Sequence, residues 1–278
     1  MGKRFIRSLL IVCLPLVLVG CSHLFYYPSQ NMYVDPHKLT PPPEQIEIPF
    51  RDGKLIAWYF KPIHQKPKAN ILFFHGNAEN ISSHFLSLFW ILKEGYGFLI
   101  FDYPGYGGSS GEPTPESTTA SGDTALKWLA ENHPQTPIAI FGQSLGGNIA
   151  LYTAAQNKHS LCLVAVESTF KSYKKVAQRT LAKNPITWIL QPLGYLLVSD
   201  KYAAAEHIAE ISPIPLMVIH SRTDSIVTFE NGEDVFNTAK APKEFLQLPE
   251  GGHIQAFTGP ENSVNRKKFL DALEVCEH

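Results

Sequence analysis

Apolar and polar positions change rhythm along this chain, and each change marks an element. Apolar runs at 46–50 and 55–60 flank Arg51-Asp52-Gly53-Lys54. Asp-Gly between two such runs predicts an opening β-hairpin. Beyond it, short apolar runs rich in β-branched and aromatic residues recur at 70–74, 98–101, 138–141, 161–166, 216–219 and 244–248. Longer stretches at 81–93, 119–132, 147–155 and 266–275 read as helices placed between them. Buried strands alternating with helices predict an α/β fold, a mainly parallel central sheet with helices on both faces. Residues 171–210 interrupt the alternation. The stretch 185–198 is apolar yet lies between two strands that one helix should join, so we expect a small cap insertion, or a longer packing helix in its place. Residues 21–45, with Pro41-Pro42-Pro43, predict an extended tether, because proline blocks helix.

Length and composition narrow the classes. A chain of 278 residues with 44% hydrophobic content can bury one sizeable α/β core and is short for two. One α/β domain is therefore expected over 46–278. A formal charge of -1, with no block of like charges, argues against nucleic acid or another polyanion as partner. Aromatic content of 12% and 21 prolines suit a pocketed, loop-rich enzyme and equally many binding proteins.

The N-terminus is a separate object. Lys3, Arg4 and Arg7 precede an apolar run over 8–19, too short for the roughly 20 residues that span a bilayer but suited to a signal peptide. It ends in Leu18-Val19-Gly20-Cys21, which resembles the lipobox of bacterial lipoproteins. That resemblance implies a cleaved signal over 1–20, acylation of Cys21 and a lipid-anchored membrane protein of the cell envelope. Several acyl chains together anchor stably where one does not. Ser22 after the cysteine resembles the pattern sorted to the outer membrane, facing the periplasm. Cys13 would leave with the signal. Cys162, inside an apolar run, reads as a core thiol, and Cys276 stands near the end; their pairing is open. No spacing of metal ligands appears, and no cofactor is expected.

Chemistry concentrates in Gly142-Gln143-Ser144-Leu145-Gly146, set between a predicted strand and a predicted helix. A G-x-S-x-G in that setting is a nucleophile elbow, a turn so tight that only glycine fits beside the serine. A serine hydroxyl needs a histidine to take its proton and an acid to orient that histidine. Asp224 follows the strand at 216–219, and His253 follows the last strand in Pro249-Glu250-Gly251-Gly252-His253. Both fall at carboxyl ends of strands, where the catalytic groups of open α/β sheets gather. Glu167, ending the strand at 161–166, rivals Asp224 for the acid role; the post-strand loop favours Asp224. His64, His75 and His220 compete with His253, but His75 precedes the nucleophile and His220 ends a strand. The oxyanion hole needs two backbone N–H groups, expected from Leu145 and Asn77.

His75-Gly76-Asn77, the run 102–111 from Asp102-Tyr103-Pro104-Gly105, Gly142-Gln143-Ser144-Leu145-Gly146-Gly147 and Gly251-Gly252-His253 together resemble the α/β-hydrolase superfamily, and within it the Bem46-like serine hydrolases. The resemblance covers about 46 to 275. It implies a Ser–His–Asp esterase mechanism on Ser144, His253 and Asp224, acting on a small acyl or ester substrate as a carboxylesterase would. Two details depart from the pattern: Ser221 stands where glycine is common after the histidine, and Ile254 where asparagine is frequent. A thioesterase or peptidase would use the same triad, although the large gating domain of oligopeptidases is missing. A non-catalytic envelope lipoprotein using the fold as a binding scaffold has no physical need of the elbow glycines.

Overall fold

The computed structural model describes residues 25–63, 66–183 and 186–277. The signal segment, Cys21, His64 and Pro185 lie outside the described residues. Among the described residues the fold is one sheet of eight strands: β1 (Glu44–Phe50), β2 (Gly53–Phe60), β3 (Asn70–Phe74), β4 (Gly97–Phe101), β5 (Ile138–Gln143), β6 (Leu161–Glu167), β7 (Leu216–Ser221) and β8 (Lys243–Leu248), in the spatial order β1-β2-β4-β3-β5-β6-β7-β8. β1 and β2 form the expected hairpin, Gly53 pairing with Phe50. β2 meets β4 antiparallel, and β4, β3, β5, β6, β7 and β8 run parallel.

Two cores sandwich the sheet, and the strands feed them alternately, because successive side chains leave a strand on opposite faces. Leu72 and Phe74, Ile140, Val164 and Val166 join one core, with Ala125, Leu129, Ile149 and Ala154 of the covering helices. Ile71 and Phe73, Ala139, Phe141, Leu163 and Ala165 join the other, with Phe85, Leu88, Phe269 and Leu273. With both faces covered, the strands read as continuous apolar runs.

The helices are α1 (Ile81–His84), α2 (Pro115–Asn132), α3 (Leu145–Gln156), α4 (Tyr173–Ala182), α5 (Gln191–Leu197), α6 (Phe229–Thr238) and α7 (Asn262–Leu273). α2 starts earlier than its apolar pattern predicts, because Thr114 accepts from Ser117 N, Ser117 caps back, and Pro115 needs no N–H donor in the first turn. The single helix expected over 81–93 is instead α1 followed by 3₁₀ turns at Phe85–Ser87 and Phe89–Glu94. Serines at 82, 83 and 87 favour helix weakly. Phe85 stacks on Phe60 at 5.5 Å and meets Phe89 edge-on at 5.6 Å, so ring packing sets the path.

Two further differences concern the termini. Residues 25–33, within the segment expected as an extended tether, are fastened to the body. Tyr26 is buried, Asn80 Nδ2 donates to the carbonyls of Ser29 and Asn31, and Tyr33 N donates to Ser82 Oγ. At the other end Cys162 of β6 is disulfide-bonded to Cys276 across 114 residues, with Cα atoms 5.2 Å apart.

Candidate active site

Ser144 stands between β5 and α3 with φ 54° and ψ -120°. A non-glycine residue at positive φ costs roughly 1–3 kcal/mol, so its surroundings must hold it there. They do so through the backbone: Ser144 N donates to Glu167 O at 2.9 Å, and Ser144 O accepts from Thr169 Oγ1 at 2.7 Å. The elbow also requires its glycines. A Cβ on Gly146 would stand 2.3 Å from the carbonyl oxygens of Phe74 and His75, and one on Gly142 would stand 2.7 Å from Gly146 O.

The structure brings three of the sequence-predicted residues into one hydrogen-bonded series. Ser144 Oγ lies 3.0 Å from His253 Nε2, and His253 Nδ1 lies 2.8 Å from Asp224 Oδ2. The network assigns the tautomer: Nδ1–H donates to the carboxylate, and Nε2 accepts from the serine hydroxyl. The other carboxylate oxygen of Asp224 accepts from the N–H groups of Ile226 at 2.9 Å and Val227 at 3.0 Å. Burial alone would raise the Asp224 pKa, but the His253 and backbone hydrogen bonds outweigh it and hold the carboxyl below its ordinary value. His220 is buried, donates from Nε2 to Val227 O at 2.8 Å, and is kept neutral by burial. It braces the acid loop.

Glu167 does not touch His253. Its Oε2 accepts from Gln143 Nε2 and its Oε1 from Ala256 N, each at 2.7 Å. Burial pushes this carboxyl up, against those hydrogen bonds. Glu167 thus ties β5, the strand leading to Ser144, to the loop that carries His253. His75 is wholly buried, and burial drives its pKa well down; Nδ1 donates to Gly76 O at 2.7 Å. Its carbonyl accepts from Tyr103 Oη at 2.9 Å, which fixes the start of the loop leading to Asn77.

Asn77, Leu145 and Ser144 line one cavity of about 520 Å³, whose other walls are apolar and come largely from α4, α5 and the segment after α5. Leu145 opens α3, where first-turn N–H groups lack intrahelical acceptors. The Asn77 side chain is spoken for: its Oδ1 accepts from Tyr27 N at 2.9 Å, Tyr106 Oη at 2.7 Å and Ala78 N at 2.8 Å. Tyr27 and Tyr106 therefore set the loop, and no sequence pattern links positions 50 and 29 residues from Asn77. A larger cavity of about 640 Å³, beside Trp90 and Leu270, contains none of these residues. Among the described residues, no group of three His, Cys, Asp or Glu is placed to hold a metal ion.

Comparison with known proteins bears on the fold and the family. The α/β hydrolase fold family matches residues 69–188. YfhR of Escherichia coli K12 is 31% identical over 278 aligned residues, covering 97% of this chain and 93% of that protein. Protein bem46 of Schizosaccharomyces pombe is 27% identical, covering 78% and 72%. A solved esterase of Pyrococcus furiosus shares the fold with a TM-score of 0.73 at 19% identity, covering 91% of this chain and 99% of that one. With this fold family matched and YfhR matching nearly end to end, the chain belongs to the α/β-hydrolase family, with protein bem46 among its relatives.

Proposed function

We propose that this protein is a serine hydrolase that cleaves carboxylic esters with an apolar acyl group through an acyl-enzyme. The observation that carries the reading is the series Ser144–His253–Asp224, at 3.0 and 2.8 Å, opening into an apolar cavity. As Ser144 Oγ bonds to the acyl carbon, its proton passes to His253 Nε2. Asp224 stabilises the imidazolium and stays ionised. The carbonyl oxygen, now negative, is held by the N–H groups of Leu145 and Asn77. His253 then gives the proton to the departing alkoxide, leaving the acyl group on Ser144. Water attacks that ester with His253 as base, the acid leaves, and Ser144 regains its proton.

The setting belongs to the same proposal. Cys21, acylated after removal of 1–20, anchors the enzyme in a bacterial envelope, at the outer membrane facing the periplasm. The Cys162–Cys276 disulfide supports an oxidising compartment.

The test is fluorophosphonate labelling mapped by peptide mass spectrometry, beside turnover of 4-nitrophenyl esters of increasing acyl length. A single adduct on Ser144, absent in His253→Ala, is expected, with kcat/KM rising from acetyl to longer chains. No adduct on folded protein would overturn the enzymatic reading and leave a binding scaffold. A rate flat across chain length would remove the apolar acyl assignment alone.

A further inference from the structure

Exposed apolar side chains cluster at one place on this protein. Trp188, Ile189 and Leu196 are 62%, 74% and 71% exposed, and Tyr195 and Ile226 are also exposed. Isolated exposed apolar residues are ordinary, but a contiguous patch marks a surface meant to be covered. This patch continues into the cavity above Ser144, because Leu190 and Ile226 are exposed and also line it. In the stretch 188–197 one side, Leu190 and Leu197, walls the cavity, while its neighbours Ile189 and Leu196 face outward.

Charge and chain path indicate what covers the patch. Between 171 and 201 the chain has six lysines and arginines against one acid, Asp200, although the whole chain is at -1. Lys175 and Arg179 pair with Asp234, and Lys174 lies 5.0 Å from the centre of the Tyr195 ring. Lys183 Nζ also donates to the Ile226 carbonyl, and apolar and aromatic residues flanked by lysines suit the boundary between acyl chains and anionic headgroups, with lysine stems reaching past the apolar zone. The N-terminal segment arrives at the same place: Phe25 lines the cavity and meets Tyr173 edge-on at 5.2 Å.

We infer that the face formed by Trp188, Ile189, Tyr195, Leu196 and Ile226 docks onto the surface of an anionic phospholipid bilayer, so that the mouth above Ser144 opens toward the membrane. Amphiphilic esters then enter the cavity from the lipid phase, acyl chain first, without crossing water. What the docked mouth is for rests on the hydrolase reading above; the docking does not.

The chain starting at Ser22 carries every described residue of the fold and lacks the anchor site, so it reports docking alone. It is mixed with vesicles of phosphatidylcholine, with and without phosphatidylglycerol, and sedimented. Binding is expected to vesicles containing phosphatidylglycerol and to weaken with salt. Trp188→Glu with Leu196→Glu should lower partitioning more than tenfold. The same pair should lower turnover of a long-acyl ester presented in vesicles and leave turnover of a soluble acetate ester unchanged, which also shows that the variant is folded. Equal partitioning of both proteins would overturn the inference, as would absent binding with acetate turnover intact. A vesicle-free dimer abolished by the double substitution would overturn it in favour of a second copy. Vesicle binding lost in the double variant, by a protein without any esterase activity, would sustain the docking and sink the hydrolase reading.

Discussion

Asp102 offers the sharpest quantitative test of the fold around the loop of Asn77. It follows β4, is 2% exposed, and accepts from the N–H of Ile81 at 3.0 Å and from the N–H of Gly108. Its nearest cationic candidate, His75 Nε2, is 3.9 Å away, too far for a hydrogen bond, and burial keeps that ring neutral. Desolvation therefore dominates and pushes the carboxyl from 3.8 up to about 7, the two N–H groups offsetting part of it. Between those pH values the unfolded chain has released this proton and the folded chain keeps it. The folded state then binds more protons, so stability falls as pH rises. The contribution is whole below pH 3.8 and gone above about pH 7. A gap of about three units, at 1.36 kcal/mol each, amounts to roughly 4 kcal/mol. Other groups titrate too, so the quantity to read is the difference between wild type and Asp102→Asn. Urea unfolding at a series of pH values should show that difference shifting against the wild type by roughly 4 kcal/mol from acid to neutral pH. A difference independent of pH would refute the assignment of an uncompensated buried carboxyl.

Glu167→Gln should retain most esterase turnover, because Oε1 can still accept from Ala256 N. Gln143 can turn its amide to accept from the new NH₂ through an Oε1 that is buried without a partner among the described residues. Glu167→Leu, which strands both donors, should lower thermal stability, checked by melting each variant beside the rate. Asp224→Asn should cost about 10⁴-fold in kcat by favouring the wrong His253 tautomer, read with a saturating soluble ester. Reducing the Cys162–Cys276 bridge should destabilise the fold by about 4–5 kcal/mol, the chain-entropy value for a loop of 114 residues, measured by urea unfolding with and without a thiol reductant.

What could be seen in the sequence was local or periodic. β5, Ser144 and α3 form one uninterrupted segment, so an apolar run, two glycines and a helical run announced the elbow directly. Asp224 and His253 were visible because each follows a strand of its own, and a parallel sheet sends all its strand ends to one edge. The 81–94 region was misread because its aromatic spacing suits a helix as well as it suits packing against Phe60, and only β2 brings that ring near. The roles of Tyr27, Tyr106 and Glu167 were invisible for the same reason. Each acts through a partner at least 24 residues away, and no periodicity encodes such a distance.

Those long-range contacts also explain how a strained serine can serve as a nucleophile. Ser144 cannot relax its backbone without breaking the bonds to Glu167 O and Thr169, and Gly146 cannot back away because Phe74 and His75 press against it. Glu167 itself reaches across to Ala256, so the strand that restrains Ser144 also restrains the loop of His253. On the far side of Ser144, the Tyr27 backbone and the Tyr106 hydroxyl hold Asn77. Ser144, His253 and Asn77, the residues to which we assign the nucleophile, base and oxyanion-donor roles, are thus fixed by separate pieces of chain that meet only in the folded state. Such preorganisation stabilises a developing charge without reorganisation during the reaction. It also makes the N-terminal segment part of the site: the Tyr27 backbone, six residues after the proposed anchor position Cys21, is hydrogen-bonded to the residue expected to hold the oxyanion.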